Sequence, residues 1–317
     1  MKTIAKFSIF VISVAAAAGL SMSCSKAISI EPGRLDNAVS QSYQKPVTVG
    51  TIRSNDVTES SGVAASKCQS GVYWTHNDSG DDPNIYAFSE KGENLGTFRV
   101  TNSQNDDWED MAEFKDGSGK CFIYIADIGD NKARRADRTI FRVAEPQIDE
   151  RTRGTESKNA IATDPAAVLN FRYPDSERNA ETMMVNPLTG DIYVLTKSIE
   201  HGSEVFKLSG NFSNPAIAIA QRVGTVVVPN VPNGQLTGGD ISPDGERVVL
   251  CDYSWGYELE IPTAAKNFDE IWKMKPARID IGRLPQTEAI GYTADGSAII
   301  ATSEKKHPPI VKVKRDQ

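Results

Sequence analysis

The sequence predicts an all-β chain folded as a single β-propeller of five four-stranded blades, closed by an N-terminal strand. Three observations predict it. An acid followed by a hairpin pattern recurs five times; short β-branched and aromatic runs alternate with Gly-containing turns and show no helical periodicity; and the last copy lacks a fourth strand, while an orphan strand precedes the first. Many short strands with turns at regular intervals are the mark of radial repetition. Six blades are the alternative, should a degenerate copy hide in the longest interval.

The copies begin at the acids 59, 109, 181, 240 and 288. The first runs from Glu59 through 62–65, turns at Gly71 and returns over 72–78. The second covers 107–112, turns at Asp116-Gly117 and returns over 122–127; the third covers 180–185, turns at Thr189-Gly190 and returns over 192–197. The fourth covers 239–242 and 248–252 around Asp244-Gly245, and the fifth 287–292 and 299–304 around Asp295-Gly296. Each reads as a β-hairpin. Third strands follow at 85–88, 140–143, 205–208 and 310–313, and apolar-Gly-Thr or apolar-Gly-Arg runs at 95–98, 223–226 and 281–284 read as fourth strands. The run 49–52 supplies the strand that the fifth copy lacks, and the long interval is read as an excursion over 132–165.

Composition narrows the partners. The 317 residues are 39% hydrophobic with a net charge of −7, so phosphate backbones would repel the molecule and nucleic acid is excluded as a partner. The apolar run 7–20, preceded by Lys2 and Lys6, fits a secretory h-region and is too short to span a bilayer. Leu20-Ser21-Met22-Ser23-Cys24 reads as a loose lipobox, which makes Cys24 the expected lipidation site, with cleavage elsewhere nearby as the alternative. The expected organisation is a signal peptide at 1–23, a tether at 24–45 and the propeller at 46–317. The expected location is the cell envelope, as a monomeric lipoprotein of the outer membrane. Of the remaining cysteines, Cys68 and Cys121 fall in corresponding turns of adjacent blades and are the candidate disulfide, while Cys251 reads as a buried thiol.

The strings Asn77-Asp78-Ser79-Gly80, Asp107-Trp108-Glu109-Asp110-Met111-Ala112 and Ala126-Asp127-Ile128-Gly129-Asp130-Asn131 resemble a group of bacterial exported β-propellers. More distantly, the acid-x-x-Gly and Asp-x-Glu starts are similar to SdiA-regulated and esterase-like-phytase propellers. The resemblance implies the fold; it implies no established activity.

In a hairpin, the start of the inner strand lies beside the end of the second. The repeat therefore gathers Glu59, Glu109, Asp110, Glu181, Asp240 and Glu288 around one axial mouth, with Asn77, Asp78, Asp127, Asp130, Asn131, Asp252 and Glu304 just outside. Crowded carboxylates need a cation, a proton or donors from the wall. Oxygen donors with few His or Cys favour calcium, and Asn77, Asp78, Asp127, Asp130 and Asn131 are the candidate ligands. Two plain readings stand beside this one: Asx and Gly capping the turns, and repeat acids bonding the backbone of the next blade. Trp108 and Trp255, the latter within Tyr253-Ser254-Trp255-Gly256-Tyr257, are expected to flank the mouth, with core packing as the alternative for Trp108, and Lys197 to neutralise the mouth or position an anion. A metal site from His76, His201 and His307 is disfavoured, because loops of alternate blades diverge. The leading function is thus a lipid-anchored module that binds a small molecule, glycan or protein at an acidic mouth, with bound calcium. The alternatives are a calcium-dependent hydrolase of the lactonase, phosphoesterase or ester type, with a mouth carboxylate or His76 as base, and a structural assembly protein of the envelope.

Overall fold

Short turns join successive strands, so each repeat folds on itself as an antiparallel meander before it meets its neighbour. In the computed structural model, which describes residues 40, 42–198, 202–229 and 234–316, five such meanders form a ring. The expected leader, Cys24 and His201 lie outside the described residues. Among those described, no helix is long and apolar enough to cross a membrane.

The chain enters through β1 (Val47–Thr51) and builds the first blade from β2 (Ser60–Ala65), β3 (Val72–Asn77), β4 (Asn84–Ser89) and β5 (Asn94–Thr101). The second blade contains β6 (Trp108–Lys115), β7 (Cys121–Asp127) and β8 (Arg138–Ala144). An excursion then carries β9 (Ile161–Pro165) before β10 (Ala167–Arg172) completes that blade. The third comprises β11 (Ala180–Val185), β12 (Ile192–Thr196), β13 (Ser203–Leu208) and β15 (Gln221–Val226), with the short β14 (Ala218–Ile219) in the connector before β15. The fourth is β16 (Leu236–Ile241), β17 (Arg247–Asp252), β18 (Gly256–Glu260) and β19 (Ala277–Ile279). The fifth has β20 (Thr287–Tyr292), β21 (Ala298–Ser303) and β22 (Pro309–Lys314), and β1 pairs antiparallel with β22 as its outer strand.

Two expectations about the outer strands change. The run 281–284 is not a strand; β19 occupies that place in the fourth blade. Ile281 is fully buried in the cluster between the fourth and fifth blades, so its apolar signal came from packing rather than strand pairing. The excursion is also not idle loop. β9 adds a parallel fifth strand to the first blade, through Phe98↔Ile161 and Arg99↔Ala162. β14 does the same to the second blade beside β10, and the 3₁₀ helix Phe268–Lys273 packs on β15 of the third. Connectors between third and fourth strands thus lean back on the preceding blade.

Burial follows radius. β11 and β20 are buried along their whole length, whereas β1 and β9 contain no buried residue. Inner strands are covered on both faces by neighbouring blades, which is why they lack polar alternation. Five apolar clusters fill the five interfaces, for example Trp74, Phe98, Trp108, Ile123 and Phe141 between the first two blades. At the turns of those two blades a disulfide joins Cys68 and Cys121, with an S–S distance of 2.12 Å. Cys251 is a buried free thiol.

Around the axis, β2, β6, β11, β16 and β20 each touch the next, and β20 touches β2. Polar side chains lock them together. Asp110 is 0% exposed; one oxygen accepts the Met111 amide at 2.8 Å, and the other accepts those of Met183 at 2.9 Å and Gly239 at 3.2 Å, on the third and fourth blades. Asp240 accepts from Ile241 and, on the fifth blade, from Tyr292 at 3.0 Å. Ser61 Oγ donates to Glu109 O, and Thr237 Oγ1 to Thr287 O. Buried amides that lose their acceptor cost about 1–3 kcal/mol each. Asp110→Ala is therefore expected to lower the stability of the ring by roughly 3 kcal/mol or more in urea denaturation; a loss below about 1 kcal/mol would show that the carboxylate is not what joins these blades.

Candidate functional site: the axial mouth

Every inner strand carries a β-bulge one residue after its first pair, and the bulge adds a residue that the repeat pattern does not reveal. The bulged residues are Ser61, Glu109, Glu181, Thr237 and Glu288. Bulges re-aim a side chain. Three glutamates with Ser61 and Thr237 are therefore equivalent in the ring, in place of the five acids aligned by spacing. Glu59 lies ahead of β2, exposed, in an isolated bridge to Glu304. Asp110 and Asp240 lie beyond the bulges, where they bond backbone amides of other blades. Spacing placed Asp240 at the mouth because the acid near each hairpin was aligned as its counterpart, whereas the equivalent positions of the first and fourth copies hold Ser61 and Thr237.

The loop acids divide in the same way. Asn77 Oδ1 accepts from the amides of Thr58 and Glu59 at 3.0 and 3.2 Å. Asp127 accepts from those of Asp106 and Asp107 at 3.1 and 3.3 Å, and pairs with Arg135. Asp252 receives the amides of Gly234, Ser254 and Trp255 and the Tyr257 hydroxyl. Each stands at the end of a second strand and, in the first, second and fourth blades, holds the segment entering the inner strand of its own blade. Asp130 accepts from the Arg134 and Arg135 amides and pairs with the buried Arg138 at 2.8 Å. Asn131 is exposed and accepts from Asn179 Nδ2. For Asn77, Asp127 and Asp130, this is the turn-capping alternative, with the side-chain oxygens already committed to protein donors.

Asp78 departs from that pattern. It is half-buried, and its carboxylate, with those of Asp107 and Glu109, forms a trio whose ligand oxygens lie within 4.8 Å of one another. Gly129 makes room for them: a Cβ there would overlap Glu109 Oε1 and Asp107 Oδ2. Gly129 has no positive φ, so it is close approach rather than backbone freedom that glycine supplies here. Asp107 was missed as a site residue, although its spacing from Glu109 in an extended segment, two residues, puts both side chains on one side.

Electrostatics joins the trio to the rest of the mouth. Burial, then Glu181, Asp78 and Asp107, push the Glu109 carboxyl well above its ordinary value, against Lys197. Burial raises Asp78 and Asp107 too, with Glu59 and Glu304 adding to the first and Asp78 to the second. Burial and Glu304 raise Glu288 to about 9. Burial also raises Glu181, which Lys197 opposes through a hydrogen bond to Oε1. Lys197 Nζ donates as well to Tyr253 Oη at 2.8 Å; burial works to lower its pKa, but Glu181 and Tyr253 raise it overall and keep the ammonium charged.

Two of the expected aromatic and histidine contributors, Trp108 and His76, are buried in the core. Trp108 is 0% exposed in the core, with its indole N–H on Gln104 O at 2.8 Å, because an apolar ring between two blades packs better than it lines water. Trp255 is half-buried, with the Arg278 guanidinium 4.1 Å from its ring centre, and lines a hollow of about 470 Å³ with Asp280 and Arg283. His76 is fully buried, edge-on to Trp108, and burial lowers its pKa to about 4, which removes it as a base at the mouth. His307 is exposed, with Nδ1 3.1 Å from Ile52 O.

These raised carboxyls fix the sign of a pH effect. Glu288 titrates near 4.5 ordinarily and near 9 in the fold, so the folded ring holds protons that the unfolded chain has released. Its contribution is full below about pH 4.5 and is lost as pH rises through about 9. The urea midpoint of metal-free protein is expected to fall from pH 5 toward pH 9. Glu288→Gln should flatten that fall and be more stable than the parent at pH 9; equal slopes in the two proteins would contradict it.

No protein-family model matches the chain. No curated protein sequence matches it either. Among solved structures, it is similar to a gluconolactonase from Xanthomonas campestris described as important in glucose secondary metabolic pathways, at 12% identity and a TM-score of 0.46, over 86% of this chain and 89% of that one.

Proposed function

We propose that the ring is a ligand-binding module whose axial mouth holds a hard divalent cation, calcium by the character of the donors. Asp78, Asp107 and Glu109 would hold it, and the observation that carries this reading is their mutual approach within 4.8 Å over Gly129. Without a cation, crowding and burial favour protons on these groups; a cation displaces the protons and satisfies all three carboxylates at once. Calcium takes about 6–8 oxygens, so three carboxylates leave positions for a ligand's own oxygens. Lys197 and Tyr253, across the mouth, offer an ammonium and a hydroxyl to the same ligand, whether a small molecule, a glycan or a loop of a protein.

A cation bound there would also polarise an ester, lactone or phosphoester oxygen. The feature favouring that second reading is Glu288, raised to about 9 and hence a proton donor at neutral pH. Calcium-dependent turnover of a simple lactone or ester, lost in Glu288→Gln with calcium binding retained, would establish it; binding without turnover leaves the module reading alone.

Calorimetry of chelator-treated protein is expected to show one calcium site whose affinity rises between pH 5 and pH 8, with proton release. Glu109→Gln and Asp107→Asn should each weaken binding about tenfold or more. Absence of both heat and a calcium-dependent rise in melting temperature would remove the cation from the reading. We place the module in the cell envelope, lipid-anchored at Cys24, on the strength of the h-region 7–20 and the segment around Cys24. Mass spectrometry of the mature protein should find a diacylated Cys24 at the N-terminus, and an unmodified N-terminus would overturn the anchor.

A further inference from the structure

At the turns that carry the disulfide, a second group of ligand-type side chains comes together. Cys68 lies in the β2–β3 turn, Cys121 opens β7, Glu113 is on β6 and Glu145 follows β8. Their sulfur and carboxylate atoms all lie within 4.8 Å of one another. The Glu145 amide donates to Cys121 O at 2.9 Å, which fixes the glutamate beside the cysteine.

The two glutamates are unusual for structural residues. Glu113 is 3% exposed and Glu145 7% exposed. Neither oxygen of Glu113 accepts a hydrogen bond, and its counter-ion is Lys67, 3.6 Å from Oε2. Glu145 Oε1 accepts the Trp74 indole N–H at 2.8 Å, while its buried Oε2 has no hydrogen-bond partner. An outer donor that fixes one oxygen and leaves the other free is how proteins orient a metal-binding carboxylate. Buried carboxylates without donors are otherwise costly, and a disulfide offers them none.

We propose that reduction of the Cys68–Cys121 disulfide converts this cluster into a closed two-sulfur, two-oxygen site for a borderline divalent metal of the zinc class, bridging the first and second blades. A dithiol supplies two electrons and two protons: the S–S bond breaks, the reductant leaves as its cyclic disulfide, and Cys68 and Cys121 become thiols. The metal then displaces both thiol protons to solvent and takes Glu113 and Glu145 as its other ligands. Zinc–sulfur bonds of about 2.3 Å and zinc–oxygen bonds of about 2.0–2.2 Å separate tetrahedral ligand atoms by roughly 3.3–3.8 Å, inside the spread of this cluster. The sulfurs must part to reach it, and Cys68, the exposed member of the pair, is the one with space beside it. Lys67, itself partly exposed, swings toward solvent as the metal takes over its role. Donor softness separates this site from the all-oxygen mouth, which does not select for thiophilic metals.

The test is titration of dithiol-reduced, desalted protein with cobalt(II) under inert gas. A thiolate-to-cobalt absorption band should saturate at one equivalent, be absent from oxidised protein, and be displaced by zinc. Cys68→Ser and Cys121→Ser should abolish it, Glu113→Gln and Glu145→Gln should each weaken binding about tenfold or more, and Cys251→Ser and Glu109→Gln should leave it unchanged. Three results overturn the proposal: no band in reduced protein, glutamine variants that bind as tightly as the parent, or loss of near-ultraviolet circular dichroism on reduction, since a switch requires the reduced ring to remain folded.

Discussion

A single carboxylate, that of Asp110, sits where the inner strands converge and accepts amides from three blades. Each inner strand has exhausted its own ladder on one side, so the amides facing the axis need acceptors that the neighbouring strand cannot supply. Asp110 meets that need between the second, third and fourth blades, and Asp240 between the fourth and fifth. The geometry of the mouth depends on this anchoring. Glu109 is the residue before Asp110 and sits in the bulge, so the group that fixes the strand and the group presented to the opening are adjacent in the chain.

The repeat was readable because a propeller writes its period into apolar spacing and turn residues. Five copies, the closing strand near Gly50 and the proximity of Cys68 to Cys121 follow from that period alone. Two features were not readable. The bulged position is defined by strand pairing and not by residue type, so aligning acids equated Asp240 with Glu288 when Thr237, three residues earlier, is the true counterpart. Nor could the letters decide for capping, although it stood as an alternative: Asn77, Asp127 and Asp252 close turns through bonds to residues about twenty positions upstream, and the same letters in the same loops would serve a metal equally well. Asp78, an anionic acceptor where its neighbour Asn77 is a neutral amide, accepts the Ser79 amide and brings its carboxylate beside those of Asp107 and Glu109.

Two acidic groupings therefore stand in contrast within one ring. At the mouth, charge is concentrated, partly open to water and tempered by Lys197 on one side. At the disulfide turns, two glutamates are sealed between blades with an ion pair and an indole as their company. The first is the site proposed for a hard, exchangeable cation, the second the one proposed for a captured metal. The Asp78–Asp107–Glu109 trio and the disulfide cluster both arise at the border between the first and second blades, whose apolar core includes Trp74 and Trp108.

Closure of the ring by β1 ties residues near the beginning of the chain to its last strand, through Thr48↔Val311 and Thr51↔Pro309. The connectors that lean backward stitch each blade to one already made, so blades can assemble in the order of synthesis. The closing junction cannot form until β22 has been made, because β22 is the template on which β1 docks. A contact between such distant segments is slow to find, and every shorter chain exposes two unpaired strand edges in the meantime. The closing strand acts as a check that β22 has been made: a chain that includes it hides these edges, and one that stops short of it advertises them to proteases and to other unfinished copies.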